Sequence, residues 1–131
     1  MVKPGLPKLI ATDLDGTLVR SDDTVSAYTH EVLGRVRAAG IRIVGATGRG
    51  PRLTGLVRSD IRDADFLVLA QGGWVIDQQD GTVLRRERLS GPDLATALAD
   101  LEAEAGPLSV MVEALEHDHS PLWGDYDPTW R

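Results

Sequence analysis

Asp13 and Asp15 stand two residues apart where an apolar run, Leu9-Ile10-Ala11-Thr12, gives out, and Gly16 and Thr17 follow at once. In an extended chain residues i and i+2 project to one side, so the two carboxylates can face one small ligand together. Carboxylates that close repel each other unless a cation or a shared proton intervenes, and hard oxygen donors of this kind suit Mg²⁺. The pair therefore predicts a metal. One aspartate can then act as nucleophile while the other handles the proton, giving a covalent intermediate that water hydrolyses. Gly16 lets the backbone turn sharply and approach a ligand closely.

The elements that must position these groups follow from the pattern. Lys8 to Thr12 reads as a first strand, apolar enough to be buried on both faces as in a parallel sheet. From Ser26 to Ala39 the residues Tyr28, Val32, Leu33, Val36 and Ala39 recur near helical spacing, with Ser26 as N-cap and Gly40 as terminator. Ile41 to Ala46 is a second strand that ends in Thr47-Gly48-Arg49-Gly50, and Pro51 opens a short helix through Val57. Phe66 to Ala70 is a third strand. Strand, helix, strand, short helix, strand predicts a right-handed parallel α/β layer. In such open sheets ligands bind beyond the carboxyl ends of the strands, which is where Asp13, Asp15 and Thr47 fall.

After Gln71 the pattern changes. Trp74 to Asp77 and Thr82 to Arg86 flank Gln78-Gln79-Asp80-Gly81, whose Asp-Gly pair signals a hairpin. Asp93 to Ala105 is an amphipathic helix stopped by Gly106-Pro107, and Leu108 to Val112 is a further short strand. Residues 116 to 131 show no period, and the chain has no internal repeat.

Composition narrows the function. At 131 residues the chain allows one domain with a core, or one domain and part of another. A net charge of -6, with the basic residues scattered, offers no field attractive to a phosphate backbone, so nucleic acid is not an expected partner. Without cysteine there are neither disulfides nor thiolate metal sites. The first residues hold too short an apolar run for a signal peptide, and no segment approaches the roughly 20 apolar residues a membrane helix needs, so no membrane partner and a cytoplasmic location are expected.

The run Asp13-Leu14-Asp15-Gly16-Thr17-Leu18 on a first strand resembles the first motif of the haloacid dehalogenase (HAD) superfamily of phosphotransferases. Ala46-Thr47-Gly48-Arg49 at the end of the second strand is similar to that superfamily's second motif. The Thr-Gly-Arg form, followed by Gln71-Gly72-Gly73 and a hairpin, resembles the Cof-type sugar phosphatases with a large α/β cap (type IIB), where Gln71 replaces an expected asparagine. The resemblance runs from residue 8 to about 112. It implies a HAD-like Rossmannoid parallel sheet, with the N-terminal part of the core and its hairpin at residues 1–87 and the start of an α/β cap at 88–131. It implies that Asp13 is the nucleophile that becomes aspartyl-phosphate and that Asp15 is the general acid, then the base for water. It further implies Mg²⁺ held by the Asp13 side chain and the Asp15 carbonyl, and phosphate cradled by Thr47, Gly48 and the backbone of Leu14 and Asp15. Arg49 would reach the substrate, a small phosphorylated metabolite.

Other readings of these residues stand beside it. Asp13 and Asp15 can be a capping and a solvated loop acid, Thr47 a turn hydroxyl and Arg49 a solvated cation. Gly45 to Gly50 can be read as a glycine-rich nucleotide loop, although its spacing is not the dinucleotide fingerprint. A phospho-accepting receiver domain fits the length, but it needs its acceptor on a middle strand and a late lysine, and the only lysines are Lys3 and Lys8. Glu116-His117-Asp118-His119 alternates metal-type ligands, for which the plainer reading is a solvated loop. Trp123, Tyr126 and Trp130 would pack against something or line a pocket.

The family's third motif, a lysine or arginine, and its fourth, a late acidic pair, are not found. Arg85, Arg86 and Arg88 lie in or just after the hairpin, and Gly124-Asp125-Tyr126-Asp127 lacks a preceding apolar strand. The chain is thus expected to be the N-terminal part of a longer phosphatase, or a truncated product. Its first strand would then be an unpaired apolar edge covered by a second copy, a homodimer. A non-catalytic module that self-associates through that edge is the alternative function.

Overall fold

A computed structural model describes residues 5–114 and 120–124 of the chain. Its main body is a five-stranded sheet in the order β1-β2-β3-β4-β5, built from Leu9–Asp13, Arg42–Ala46, Phe66–Leu69, Trp74–Asp77 and Val83–Arg86. The first three strands run parallel and the last two turn back antiparallel. This is the expected α/β layer with an added hairpin.

The helices begin and end where local chemistry dictates. In α1 (Ala27–Ala38) the Ser26 side chain accepts from the Thr29 N–H at 3.0 Å, and Gly40 beyond the last turn adopts φ +82°, a conformation that a side chain would resist. Leu33 is buried by this helix and Val36 packs beside it. Tyr28 is 72% exposed and contributes nothing to that face, contrary to its place in the apolar spacing. Pro51–Leu53 form a single 3-10 turn that leads into α2 (Thr54–Asp60). Val57 and Ile61 are fully buried against the sheet, and a Cβ at Gly45 would stand 3.1 Å from Ile61, so glycine permits the close approach.

The core gathers Leu14, Ile43, Val57, Ile61, Leu67, Leu69, Trp74 and Ile76, all buried. Full burial of a side chain such as Ile43 or Leu67 stabilises by about 1.5–3 kcal/mol. In the hairpin, Asp77 N–H donates to Thr82 O and Gly81 N–H to Asp77 O, both at 2.9 Å, which closes the Asp-Gly turn. Arg86 stacks over the Trp74 ring at 4.6 Å.

β1 corrects one expectation. It lies at the edge of the sheet, its residues alternate between exposed and half-buried, and Leu9 is 48% exposed. Burial on both faces requires a packed layer over each, and the face of β1 that carries Leu9, Ala11 and Asp13 is exposed, while in the plane of the sheet its one neighbour among the described residues is β2.

Beyond the hairpin lie α3 (Gly91–Ala105) and a two-stranded antiparallel sheet of β6 (Met111–Glu113) and β7 (Leu122–Gly124). The expected strand at Leu108 to Val112 is shorter and shifted, and β7 carried no sequence signal, because three-residue strands are too short to display a period of two. The alternating ligands Glu116 to His119 lie outside the described residues, as do Tyr126, Trp130 and the acids Asp125 and Asp127. Among the described residues no helix is long and apolar enough to cross a membrane.

Candidate active site

Parallel pairing places the chemistry. Asp13 is in register with Ala46, and Ala46 with Val68, so β1, β2 and β3 finish side by side. Their carboxyl ends deliver Asp13, Thr47 and, one turn beyond β3, Gln71 to the same end of the sheet. Asp13, Thr47, Gly48, Gln71 and Gly72 line one cavity there, about 280 Å³ in volume.

The first loop is a tight turn. The Leu14 carbonyl accepts from the N–H groups of Thr17, Leu18 and Val19, and Gly16, at φ +77°, supplies the left-handed step. The bonds that close the turn leave the Asp15 carbonyl unused among the described residues. Leu14 itself is fully buried and anchors the loop to the core. Asp13 is exposed, and its Oδ2 accepts from Thr17 Oγ1 at 2.9 Å.

Asp15 is held differently. Its Oδ2 accepts from the Thr47 hydroxyl at 3.0 Å and its Oδ1 from the Arg49 guanidinium. The Thr47 oxygen in turn accepts from the Arg49 N–H at 3.1 Å, and Thr47 is buried. The Thr47 side chain is therefore committed to Asp15 and to its own loop in this arrangement, although it lines the cavity. Arg49 donates with its other arm to Asp60 Oδ2 at 2.8 Å. Arg49 and Asp60 are only 18% and 13% exposed. Burial works against the guanidinium charge, but the hydrogen bonds and charges of Asp15 and Asp60 outweigh it and hold the Arg49 pKa above its usual value.

The cation that the two aspartates required is thus supplied to Asp15, at least, by an arginine of the next loop. For a metal, the chain offers the Asp13 carboxylate and the Asp15 carbonyl, and among the described residues no three acids or histidines gather around one point. Mg²⁺ fits such a donor set, since it retains several waters and takes one or two carboxylates together with substrate phosphate oxygens.

Three residues near the site escaped the reading of the sequence as contributors. Asp60, the last residue of α2, grips Arg49 across the loop, and nothing in its local sequence marks it. Glu113 of β6 accepts from the Arg52 N–H at 2.7 Å and packs so closely on Gly50 that any side chain there would overlap it. Gln71 stood out only as a replacement for asparagine. In the structure its amide nitrogen lies 2.7 Å from where a Cβ on Gly48 would be. A second cavity of about 520 Å³ adjoins the first, sharing Gly48 and Gln71, and is lined further by Leu89, Leu94, Met111 and Glu113.

Known proteins of this architecture agree. Residues 10–118 match the model of the haloacid dehalogenase-like hydrolase family. The 5-amino-6-(5-phospho-D-ribitylamino)uracil phosphatase YwtE of Bacillus subtilis is 33% identical over 120 residues, spanning 90% of this chain and 40% of that protein. A second B. subtilis phosphatase of the same description, YitU, is 28% identical over 84% of this chain and 41% of its own length. Among solved structures, a HAD-superfamily phosphatase from Bacteroides thetaiotaomicron superposes with a TM-score of 0.74 at 26% identity, covering 98% of this chain and 46% of that one. The chain thus spans about two fifths of the length of these curated relatives. The Asp-x-Asp turn at the end of β1, the threonine at the end of β2 and this match over most of the sequence place the chain among the haloacid dehalogenase-like hydrolases, a family of enzymes that includes phosphatases.

Proposed function

We propose that the chain carries the nucleophile-bearing part of a Mg²⁺-dependent phosphatase that acts through an aspartyl-phosphate on a small phosphorylated metabolite, a sugar or polyol phosphate. The observation that carries this reading is the single cavity in which Asp13, Thr47 and Gly48 meet at the carboxyl ends of β1 and β2. Residues 1–87 serve as the N-terminal part of the core and 88–131 as the beginning of a cap. The substrates named for the B. subtilis relatives are phosphorylated ribityl compounds, which supports the polyol class.

In this mechanism an Asp13 carboxylate oxygen attacks phosphorus, and the bond from phosphorus to the ester oxygen breaks. Asp15 gives that oxygen its proton, then takes one from the water that cleaves the aspartyl-phosphate, and inorganic phosphate leaves. Both oxygens of Asp15 accept from donors in the structure, an arrangement suited to the second, proton-taking half. The first half requires Asp15 to turn from Arg49 toward the leaving oxygen. The main-chain N–H groups of Leu14, Asp15 and Gly48 cradle the phosphoryl oxygens. Bound through Asp13 and the Asp15 carbonyl, Mg²⁺ would offset the negative charge that nucleophile and phosphate bring together.

Hydrolysis of p-nitrophenyl phosphate with and without Mg²⁺, beside Asp13→Asn, tests the reading. The incomplete chain is expected to turn over weakly if at all, and any metal-dependent turnover should fall at least about 1,000-fold in the variant, as for loss of a nucleophile. Absence of turnover alone in a folded chain would mean incomplete machinery, whereas dimerisation without turnover would favour a second reading, a non-catalytic module that pairs with its own copy. The observation behind that alternative is the open edge of β1, where apolar Leu9 is exposed.

A further inference from the structure

The loop that leaves β3 passes through three successive residues at positive φ, Ala70 at 50°, Gln71 at 55° and Gly72 at 92°. Only the last is a glycine. Left-handed backbone at an alanine and a glutamine is strained, and such strain persists where the surroundings enforce it, often at ligand sites. Main-chain bonds hold the turn, from Ala70 N–H to Arg49 O and from Gly73 N–H to Ala70 O, both at 2.9 Å, but among the described residues they leave the Gln71 side chain unengaged. What the conformation achieves is placement. It carries the amide over Gly48, where a methyl group would leave no room.

That position is a threshold between the two cavities. Gln71 and Gly48 line both, with Asp13 and Thr47 on one side and Leu89, Leu94 and Met111 on the other. A phosphate ester whose phosphorus meets Asp13 must lead its ester oxygen and first carbons past Gln71 to enter the larger cavity. The Gln71 amide offers a donor and an acceptor together, which matches a hydroxyl group; of the other groups lining the larger cavity Leu89, Leu94 and Met111 offer neither, Glu87 and Glu113 carboxylates only accept, and the Arg88 guanidinium only donates. Resting on the phosphatase reading, we propose that Gln71 is a specificity-determining residue that binds a hydroxyl on the first carbons of the leaving group, so that the site selects polyol phosphates over plain alkyl phosphates.

The test compares sn-glycerol 3-phosphate with n-propyl phosphate, which differ only in two hydroxyls. Inorganic phosphate is first titrated into the wild-type chain with Mg²⁺, following the amide resonances of Thr47 and Gly48. No shift there would remove the phosphate site, and this inference with it. Once phosphate binding is established, the two esters are titrated, free of inorganic phosphate, in the Asp13→Asn background, which prevents turnover. A preference of about tenfold for the glycerol ester is expected, the effect of one well-placed hydrogen bond. It should shrink to about twofold or less in Gln71→Gly, while inorganic phosphate affinity changes no more than about twofold. Glycine adopts φ near 55° without strain, so this variant keeps the fold. A preference that survives Gln71→Gly, or none in the presence of Gln71, overturns the proposal and leaves the phosphatase reading standing.

Discussion

Two helices of this chain are written in nearly the same local code and end up in opposite circumstances. Each opens on a serine whose hydroxyl accepts from the N–H three residues on, Ser26 from Thr29 at 3.0 Å and Ser90 from Asp93 at 3.2 Å. Each is followed by a glycine at positive φ, Gly40 at 82° and Gly106 at 81°. By local measures α3 is the better helix, with 15 residues against 12 and with Pro92 and Asp93 in its first turn. Yet α1 buries Leu33 in the core, while α3 buries none of its residues and leaves Leu101 55% exposed. Capping and propensity specify a helix. Only an opposing apolar layer makes it part of a core, and among the described residues α3 has none.

The contrast can be broken first at its packed end. Leu67→Ala, in a fully buried strand position, should lower the unfolding free energy by about 3 kcal/mol in urea titrations followed by circular dichroism. Leu101→Ala should change it by less than about 0.5 kcal/mol. Equal losses would show that α3 belongs to the cooperative core after all.

Next in size is the ion triad between the site and α2. Arg49→Met leaves Asp60 largely buried without its cation, and a loss of about 2–3 kcal/mol is expected by the same titration. Arg49→Met combined with Asp60→Leu should recover more than half of it, since the uncompensated charge is gone. No recovery would mean that Asp15, rather than Asp60, is the partner that matters to stability.

The caps give the smallest and sharpest comparison. Ser26→Ala should lower global stability by about 1 kcal/mol, because α1 unfolds with the sheet. Ser90→Ala should leave the urea midpoint unchanged within error and instead speed amide exchange along α3, as expected of a helix that opens on its own. Identical midpoint shifts in the two variants would erase the distinction between the regions.

Much of the site was legible because its signals are local. Asp13, Gly16 and Thr17 lie in one turn, and Thr47 to Arg49 in another, and each turn is written by residues that suit it. That the two turns meet follows from parallel pairing, which an apolar strand, helix, strand pattern already implies. Asp60 was invisible because its partner is eleven residues away, in a loop whose path only the folded chain sets. Glu113 was invisible for the same reason, standing 61 positions from Arg52. The full burial expected of β1 failed because burial needs a packed layer over each face, and the face that carries Leu9 and Ala11 is exposed.

The sequence by itself determined the strands of the five-stranded sheet, the helix caps, the hairpin and the acids that could do chemistry, since all of these depend on residues within a few positions of each other. The tertiary structure decided the rest. It gave Asp15 to Arg49 and Arg49 to Asp60, set Gln71 on the threshold of two cavities, left β1 at an edge and left α3 without a partner. Those outcomes arise from contacts between distant segments, where packing and charge pairing choose among arrangements that local preference leaves equal.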